Sequence, residues 1–561
     1  MHTYPWFSNY PAGVPSEIDA DQYQNLTELL DNAFTAFSEK VAFTNMDKAY
    51  TFQEVEELSR NFASYLQHVA QLKPGDRIAI QMPNLHQYPI AMFGALRAGL
   101  TVVNTNPLYT PSEMQHQFND SGATAIVILA NFAHNLQKIL PNTNIKKVIV
   151  TEIGDMLGGL KGSIVNFVVK KVKKMVPAYQ LPGAVSFKKT LQEGAKHTFV
   201  KPDITSSDIA FLQYTGGTTG VSKGAMLTHR NLVANLVQVD AWMSSSGLEK
   251  GKEIFITALP IYHIFALVAN VLVAANIGAK NVLITNPRDM PAFLKDLGKH
   301  KFTVITGVNT LFNGLLNQPD FQKLDFSQLK FALGGGMAVQ EYTANKWKEV
   351  TGSYLAEGYG LTETSPVLTV NPLDGTGRVG FIGLPVPSTE IKLFDDSGKE
   401  VAVGEPGELC AKGPQVMAGY YQRPEDTANC MMNGWFKTGD VAVMEESGYF
   451  KIVDRKKEMI LVSGFNVYPN EIENVIASHE KVLEVGAIGV PDAKSTEAVK
   501  VYIVKKDPSL TEAEVKEYCR EKLTAYKCPK YVAFTDELPK SNVGKILRRI
   551  IKEKDLEANS Y

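Results

Sequence analysis

Between Tyr214 and His229 the chain reads Tyr-Thr-Gly-Gly-Thr-Thr-Gly-Val-Ser-Lys-Gly-Ala-Met-Leu-Thr-His, a density of glycine and hydroxyl residues ahead of a lysine that suits phosphate. Gly216, Gly217 and Gly220 let the backbone bend and present bare N–H groups to an anion; Thr215, Thr218, Thr219 and Ser222 add hydroxyl donors, and Lys223 adds charge. A Walker A loop would place Ser or Thr directly after Gly-Lys. Here Lys223 follows Ser222 and precedes Gly224, so that reading fails. A flexible Ser/Gly/Thr linker is the plain alternative, but linkers seldom run straight into an apolar segment such as Ala225-Met-Leu.

Further clusters follow, each weak alone. Gly334, Gly335 and Gly336 could bring backbone against a flat ring or make a tight strand-to-helix turn. Gly358-Tyr-Gly-Leu-Thr-Glu363 sets a carboxylate just past a glycine turn, where it could hold Mg²⁺ through oxygen or serve as a cap. Lys437-Thr-Gly-Asp440 offers a carboxylate for two vicinal hydroxyls, or a turn aspartate. Pro539-Lys-Ser-Asn-Val-Gly-Lys545 continues to Arg549 in a basic run that ordinary solvated termini also show.

These residues need a scaffold larger than one domain. The 561 residues suggest three or four compact units at about 150 residues each. Up to 380, helical-period stretches alternate with β-branched runs (Arg77-Ile-Ala-Ile, Ala125-Ile-Val-Ile-Leu, Lys147-Val-Ile-Val, Phe302-Thr-Val-Ile), the pattern of parallel α/β layers. Residues 381–454 change to strands and turns and read as a β-rich subdomain. The charged run Asp454 to Glu458 is either a solvated turn or, over 455–458, a hinge, and 459–561 reads as a small α+β unit. The predicted organisation is a large N-terminal domain, 1–454, and a small mobile C-terminal domain.

Charge and cysteine use narrow the function. With 57 Lys+Arg against 59 Asp+Glu, nothing global draws the chain to nucleic acid. Four scattered cysteines form neither a disulfide framework nor a metal knuckle, histidines lack zinc spacing, and the first residues lack a signal-peptide pattern, so a cytoplasmic protein is expected. The apolar stretch 254–278 is broken by Pro260 and His263 and predicts a buried strand and helix rather than a membrane span. The segment 156–176 interleaves Lys161, Lys170, Lys171, Lys173 and Lys174 with apolar residues and has no acid. Two placements are open for it: peripherally in a membrane interface, or on the protein surface with its apolar side packed inward.

Taken together and in this order, the clusters resemble the adenylate-forming superfamily of acyl-CoA synthetases, luciferases and peptide-synthetase adenylation domains. The resemblance runs from Leu96-Arg-Ala-Gly-Leu to Lys545. The segments Asn433-Gly-Trp-Phe-Lys-Thr-Gly-Asp-Val-Ala, Gly448-Tyr-Phe-Lys-Ile-Val-Asp-Arg-Lys-Lys457 and Ser463-Gly-Phe-Asn-Val-Tyr-Pro-Asn-Glu-Ile-Glu473 are similar to its fatty-acyl-CoA synthetase signature. The resemblance implies ATP, Mg²⁺ and coenzyme A as reactants, with a fatty acid, of long chain, joined to CoA through an acyl-adenylate.

It also implies roles. The stretch from Thr215 to Lys223 would hold the β- and γ-phosphates, Glu363 beside Thr362 would bind Mg²⁺, and Gly334 to Gly336 with Tyr359 would frame adenine. Asp440 and Arg455 would hold ribose, and Lys545 would contact the reacting carboxylate and α-phosphate. His263 matches a position beside the acyl carboxylate, or is a satisfied core histidine. Rotation about Lys457 would withdraw Lys545 and bring Gly464 to the site for thioester formation; relatives are often homodimers. Left open are an aryl or medium-chain acid ligase, an enzyme that loads a carrier protein, and a catalytically silent sensor of nucleotide or fatty acid, against which the retention of Lys545, Glu363 and Asp440 argues.

Overall fold

The computed structural model describes residues 4–215, 222–492 and 494–559. Among these residues the chain forms four sheets. The first runs, edge to edge, Val185–Ser186, Lys147–Thr151, Ala125–Leu129, Arg77–Gln81, Thr101–Asn104, Ile209–Thr215 and Lys223–Thr228. It is parallel except at its end, where Ile209–Thr215 and Lys223–Thr228 pair antiparallel and bring Thr215 opposite Lys223. Three of the β-branched runs that predicted parallel layers, at 77–80, 125–129 and 147–150, are strands of this sheet, largely buried because helices cover it, and the fourth, at 302–305, leads into a strand of the second sheet.

The second, nine-stranded sheet carries the parallel strands Leu355–Gly360, Phe331–Gly334, Val304–Gly307, Ile254–Thr257 and Lys280–Leu283. The early hairpin Val41–Asn45 and Lys48–Thr51 completes one edge through Lys280–Leu283. The stretch 254–278 is the predicted strand and helix: after Ile254–Thr257 a helix runs from 264 to 276, wider-wound over Leu267–Leu272. Among the described residues no helix is long and apolar enough to cross a membrane.

A third, antiparallel sheet holds Glu390–Phe394, Gly407–Lys412, Trp435–Met444 and Phe450–Arg455. The fourth belongs to the smaller C-terminal domain: a hairpin, Ile460–Val462 and Phe465–Val467, joins the long strands Val482–Asp492 and Thr496–Lys505, packed by the helices Pro469–Ala477, Glu512–Lys522 and Arg548–Ala558. Its core is separate, built on Ile472, Ile476, Val485, Val501 and Ile503. The architecture is α/β, with two layered α/β sheets and a β-rich sheet in the large N-terminal domain.

Candidate active site

A cavity of ≈ 980 Å³ opens where the two large sheets, the antiparallel sheet and the C-terminal domain meet. Its polar end gathers Thr215, Lys223, His263, Gly335, Gly336, Tyr359, Thr362, Glu363, Asp440, Arg455, Lys457 and Lys545, residues spread over more than 300 positions of sequence. Gly334 ends its strand just behind, where an added Cβ would lie 2.4 Å from Val339 Cγ2. Gly216, Gly217, Thr218, Thr219 and Gly220 lie outside the described residues; their flanks, Thr215 and Lys223, stand opposite each other at the cavity wall.

The strand-to-turn passage at 358–363 aims two side chains. Gly360 lies so close to the chain that a Cβ would sit 1.8 Å from the Pro366 carbonyl, so only glycine permits the turn. Tyr359, before it, donates from its hydroxyl to Asp440 Oδ2 at 2.6 Å. Asp440 and Arg455 are direct cross-strand partners, and Arg455 Nε lies 3.3 Å from Asp440 Oδ1. The aspartate is thus fixed between an aromatic ring and a guanidinium.

Glu363, after the turn, is buried and accepts from Tyr420 Oη at 2.6 Å. Burial raises its pKa above the usual carboxylate range, against the lowering effect of that hydrogen bond. Among the described residues no group of three or more His, Cys, Asp or Glu gathers to hold a metal. A single buried carboxylate at this point of the cavity wall nevertheless fits Mg²⁺, which is commonly held by one or two carboxylates together with substrate phosphates and water. Tyr420 also lies under Lys223, whose ammonium is 5.4 Å from the ring centroid and pairs with Asp426. Tyr420 and Asp426 escaped the sequence reading because a Gly-Tyr-Tyr-Gln-Arg-Pro turn carries no chemical signature of its own.

His263 caps the helix that begins at Ile264, its Nδ1 accepting from the Phe265 N–H at 3.3 Å. With Nδ1 engaged as acceptor, the ring proton sits on Nε2. Burial, and then the neighbouring Lys545 ammonium, push its pKa down to about 4, so at neutral pH it is an uncharged donor. Lys545 in turn is pushed down to about 8, first by desolvation and then by Arg455.

Lys545 is held in a loop pinned at its base by the Leu547 N–H to Pro539 carbonyl bond (2.8 Å) and inside it by Ser541 N–H to the Lys545 carbonyl (2.7 Å). Gly464, by contrast, is brought nowhere near: it sits exposed at the tip of the hairpin Ile460–Val462 and Phe465–Val467, with φ +85°. Lys457 is exposed at the cavity rim, and Asp454 beside it is wholly buried, so the charged run is not a simple solvated turn.

From this polar end the cavity continues as an apolar arm between Val239, Trp242, Met243, Phe255, Val268 and Val273. The wider-wound turn at Leu267–Leu272 contributes Val268 and Ala269 to its wall. Such turns recur at functional sites because they displace side chains from the regular register.

Residues 30–421 match the family described as AMP-binding enzyme, and residues 471–545 match the AMP-binding enzyme C-terminal domain. The chain belongs to this family of AMP-binding enzymes. A long-chain-fatty-acid–CoA ligase of Escherichia coli O6:H1 is 58% identical over 548 residues, spanning 98% of each chain. Among solved structures, ATP-bound MatB from Rhodopseudomonas palustris is 27% identical, with a TM-score of 0.81 over 96% of this chain and 100% of that one. An anthranilate CoA ligase in complex with anthranoyl-AMP, 24% identical, shares the fold with a TM-score of 0.86 over 96% and 99% of the two chains.

Proposed function

We propose that the chain is an ATP-dependent ligase that joins a long-chain fatty acid to coenzyme A through an acyl-adenylate. The observation that carries this reading is the continuity of one cavity, polar at Lys545, Glu363 and Asp440 and apolar from Val268 to Met243. At ≈ 980 Å³ it lies at the top of the usual range of about 300–1,000 Å³ for ligand sites, room for a nucleotide and an acyl chain end to end.

A carboxylate resists acyl transfer because its leaving group would be oxide. Attack of a carboxylate oxygen on the α-phosphorus of ATP forms the mixed anhydride and breaks the bond to the β-phosphate, releasing pyrophosphate. The CoA thiol, losing its proton, then attacks the acyl carbon and AMP departs. Lys545 supplies positive charge where the carboxylate meets the α-phosphate, and His263 Nε2–H donates to the acyl carboxylate without adding charge. Asp440, oriented by Tyr359 and Arg455, takes the ribose hydroxyls; Thr215 and Lys223 face the outer phosphates. Glu363 would hold Mg²⁺, which would supply charge to offset the phosphates.

Thioester formation needs an open approach for the thiol. In the reading offered here the C-terminal domain, from 459 onward, turns about Lys457 between the steps, withdrawing Lys545 and presenting Gly464. Pyrophosphate release and acyl-CoA formation with acids of graded length test the substrate: activity should peak with long-chain acids, and a preference for aryl or short acids would overturn the assignment.

A second reading concerns 156–176. In the helix Gly159–Phe167 the face against the protein is small and polar: Gly162 packs so closely on Gly154 that a Cβ would meet its carbonyl at 2.3 Å, and Asn166 bonds Gly154 and Asp155. Leu160, Phe167 and Val172 are left 78%, 62% and 64% exposed, beside exposed Lys171, Lys173 and Lys174. Met156 and Leu157 pack inward and Val165, Val168 and Val169 are half-buried, so the apolar side is divided, with Leu160, Ile164, Phe167, Val172 and Met175 left outside. The outer part suits insertion into an anionic membrane interface, near the source of the acid. Leu160→Ser/Phe167→Ser/Val172→Ser should lower partition onto phosphatidylglycerol vesicles by at least tenfold with the assay in detergent unchanged; undiminished partition would refute it.

A further inference from the structure

Three residues beyond Lys545, Arg548 opens the last helix and buries its guanidinium among acids. Its Nε and Nη2 face both oxygens of Glu473, at 2.8 and 2.6 Å, and Nη2 also meets Asn470 Oδ1. Its Nη1 faces Asp454 Oδ1 at 2.9 Å and Glu458 Oε2 at 2.6 Å. Glu473 and Asn470 lie on the helix Pro469–Ala477 of the same domain as Arg548. Asp454 does not: it is the last but one residue of the strand Phe450–Arg455, paired with Val441 in the sheet that carries Asp440.

Asp454 is gripped twice from across 455–458. Besides Arg548, the backbone N–H of Asn470 donates to its Oδ2 at 2.9 Å, so its carboxylate also sits at the N-terminus of the helix Pro469–Ala477. With 0% side-chain exposure, it has no water to replace these partners, and separation would leave a buried charge unpaired.

We propose that Arg548 and Asp454 form a latch across the hinge that holds Lys545 at the nucleotide site, and that the latch must open for thioester formation. The inference rests on the two-arrangement reading given above. A contact made in one arrangement and absent from the other shifts their equilibrium by its differential free energy. Arg548 is a positioning residue: it lines the cavity but its guanidinium is taken up by Glu473, Asp454, Glu458 and Asn470, and the short span to Lys545 ties the lysine's presence to the latch. A fold-stabilising role alone would weaken both half-reactions together, whereas a latch favours one.

The test uses the full-length enzyme, with adenylate formation followed as pyrophosphate release and thioester formation started from supplied acyl-adenylate and CoA. Asp454→Asn keeps the acceptor oxygen and the size but removes the charge that Arg548 grips. It should slow adenylate formation roughly tenfold or more, the worth of a charge-assisted hydrogen bond, while thioester formation is unchanged or faster. Arg548→Met should act in the same sense; since it strands Glu473 and can impair folding, the thermal midpoint of each variant is measured and Asp454→Asn decides. Equal losses in both half-reactions, or unaltered adenylate formation, would overturn the latch. Lys545→Ala run in parallel separates the layers. If it impairs adenylate formation selectively while Asp454→Asn does not, only the latch fails; if its own losses are equal, the two-arrangement reading fails and the latch with it.

Discussion

Thr310 Oγ1 donates to the carbonyl of Gly544 at 2.9 Å, a hydrogen bond from the large domain to the residue directly before Lys545. Gly544 has φ +85°, the left-handed region that favours glycine, and the contact is close enough that a Cβ there would lie 2.8 Å from Thr310 Oγ1. The loop tip is therefore fitted to the large domain by the absence of a side chain.

Gly544→Ala should accordingly disfavour the docked loop. Left-handed strain and the overlap with Thr310 together cost about 1–3 kcal/mol, enough to slow adenylate formation by roughly 5- to 150-fold. Single-turnover pyrophosphate release measures this, and thioester formation from supplied acyl-adenylate should change less.

The pH dependence follows from Lys545. Its useful form is the ammonium, and its pKa in the free protein is lowered to about 8. As pH rises through that value the charge is lost, so kcat/KM for adenylate formation should fall above about pH 8 and not wait for the ordinary lysine range near 10.4. His263, pushed down to about 4, is already neutral and should add no inflexion near 6.5.

For Glu363, replacement by Gln keeps the size and the acceptor for Tyr420 but removes the charge offered to Mg²⁺. A magnesium titration of pyrophosphate release should move to higher concentration, with the rate at saturation down by about 10²–10³, the cost of losing one electrostatic partner at a reacting centre. An unshifted titration would remove Glu363 from the metal assignment.

Val273 lines the apolar arm from the helix that follows the strand Ile254–Thr257. Val273→Phe should obstruct the arm and penalise long acids selectively. Excluding four methylenes at ~0.8 kcal/mol each forfeits about 3 kcal/mol, so the ratio of kcat/KM for sixteen- over eight-carbon acids should fall by about 10²; an unchanged ratio would place the acyl chain elsewhere.

Local chemistry was legible in sequence where a residue's neighbours enforce it. Gly360 sits in a short motif whose turn admits only glycine, with Glu363 three residues on, and the β-branched runs at 77–80 and 125–129 fold as the strands they predicted; Asp440 lies in a strand opposite Arg455, not in a turn. What the sequence concealed is joined over long distances. The hairpin Val41–Asn45 and Lys48–Thr51 crosses to Lys280–Leu283, a pairing no periodicity announces. Thr310 on Gly544, Asp426 on Lys223 and Asp454 under Arg548 likewise exist only once distant elements meet. The segment 156–176 shows the opposite limit: its amphipathicity was visible, but which side faces the protein was decided by Gly154 against Gly162.

The division of labour between the two steps is tested by Lys545→Ala, with both half-reactions measured on the same preparation. Assignment of Lys545 to the first step alone requires that pyrophosphate release on mixing long-chain acid and ATP is abolished, while acyl-CoA still forms from supplied acyl-adenylate at a rate close to that of the unaltered protein. Comparable losses in the two steps would contradict it.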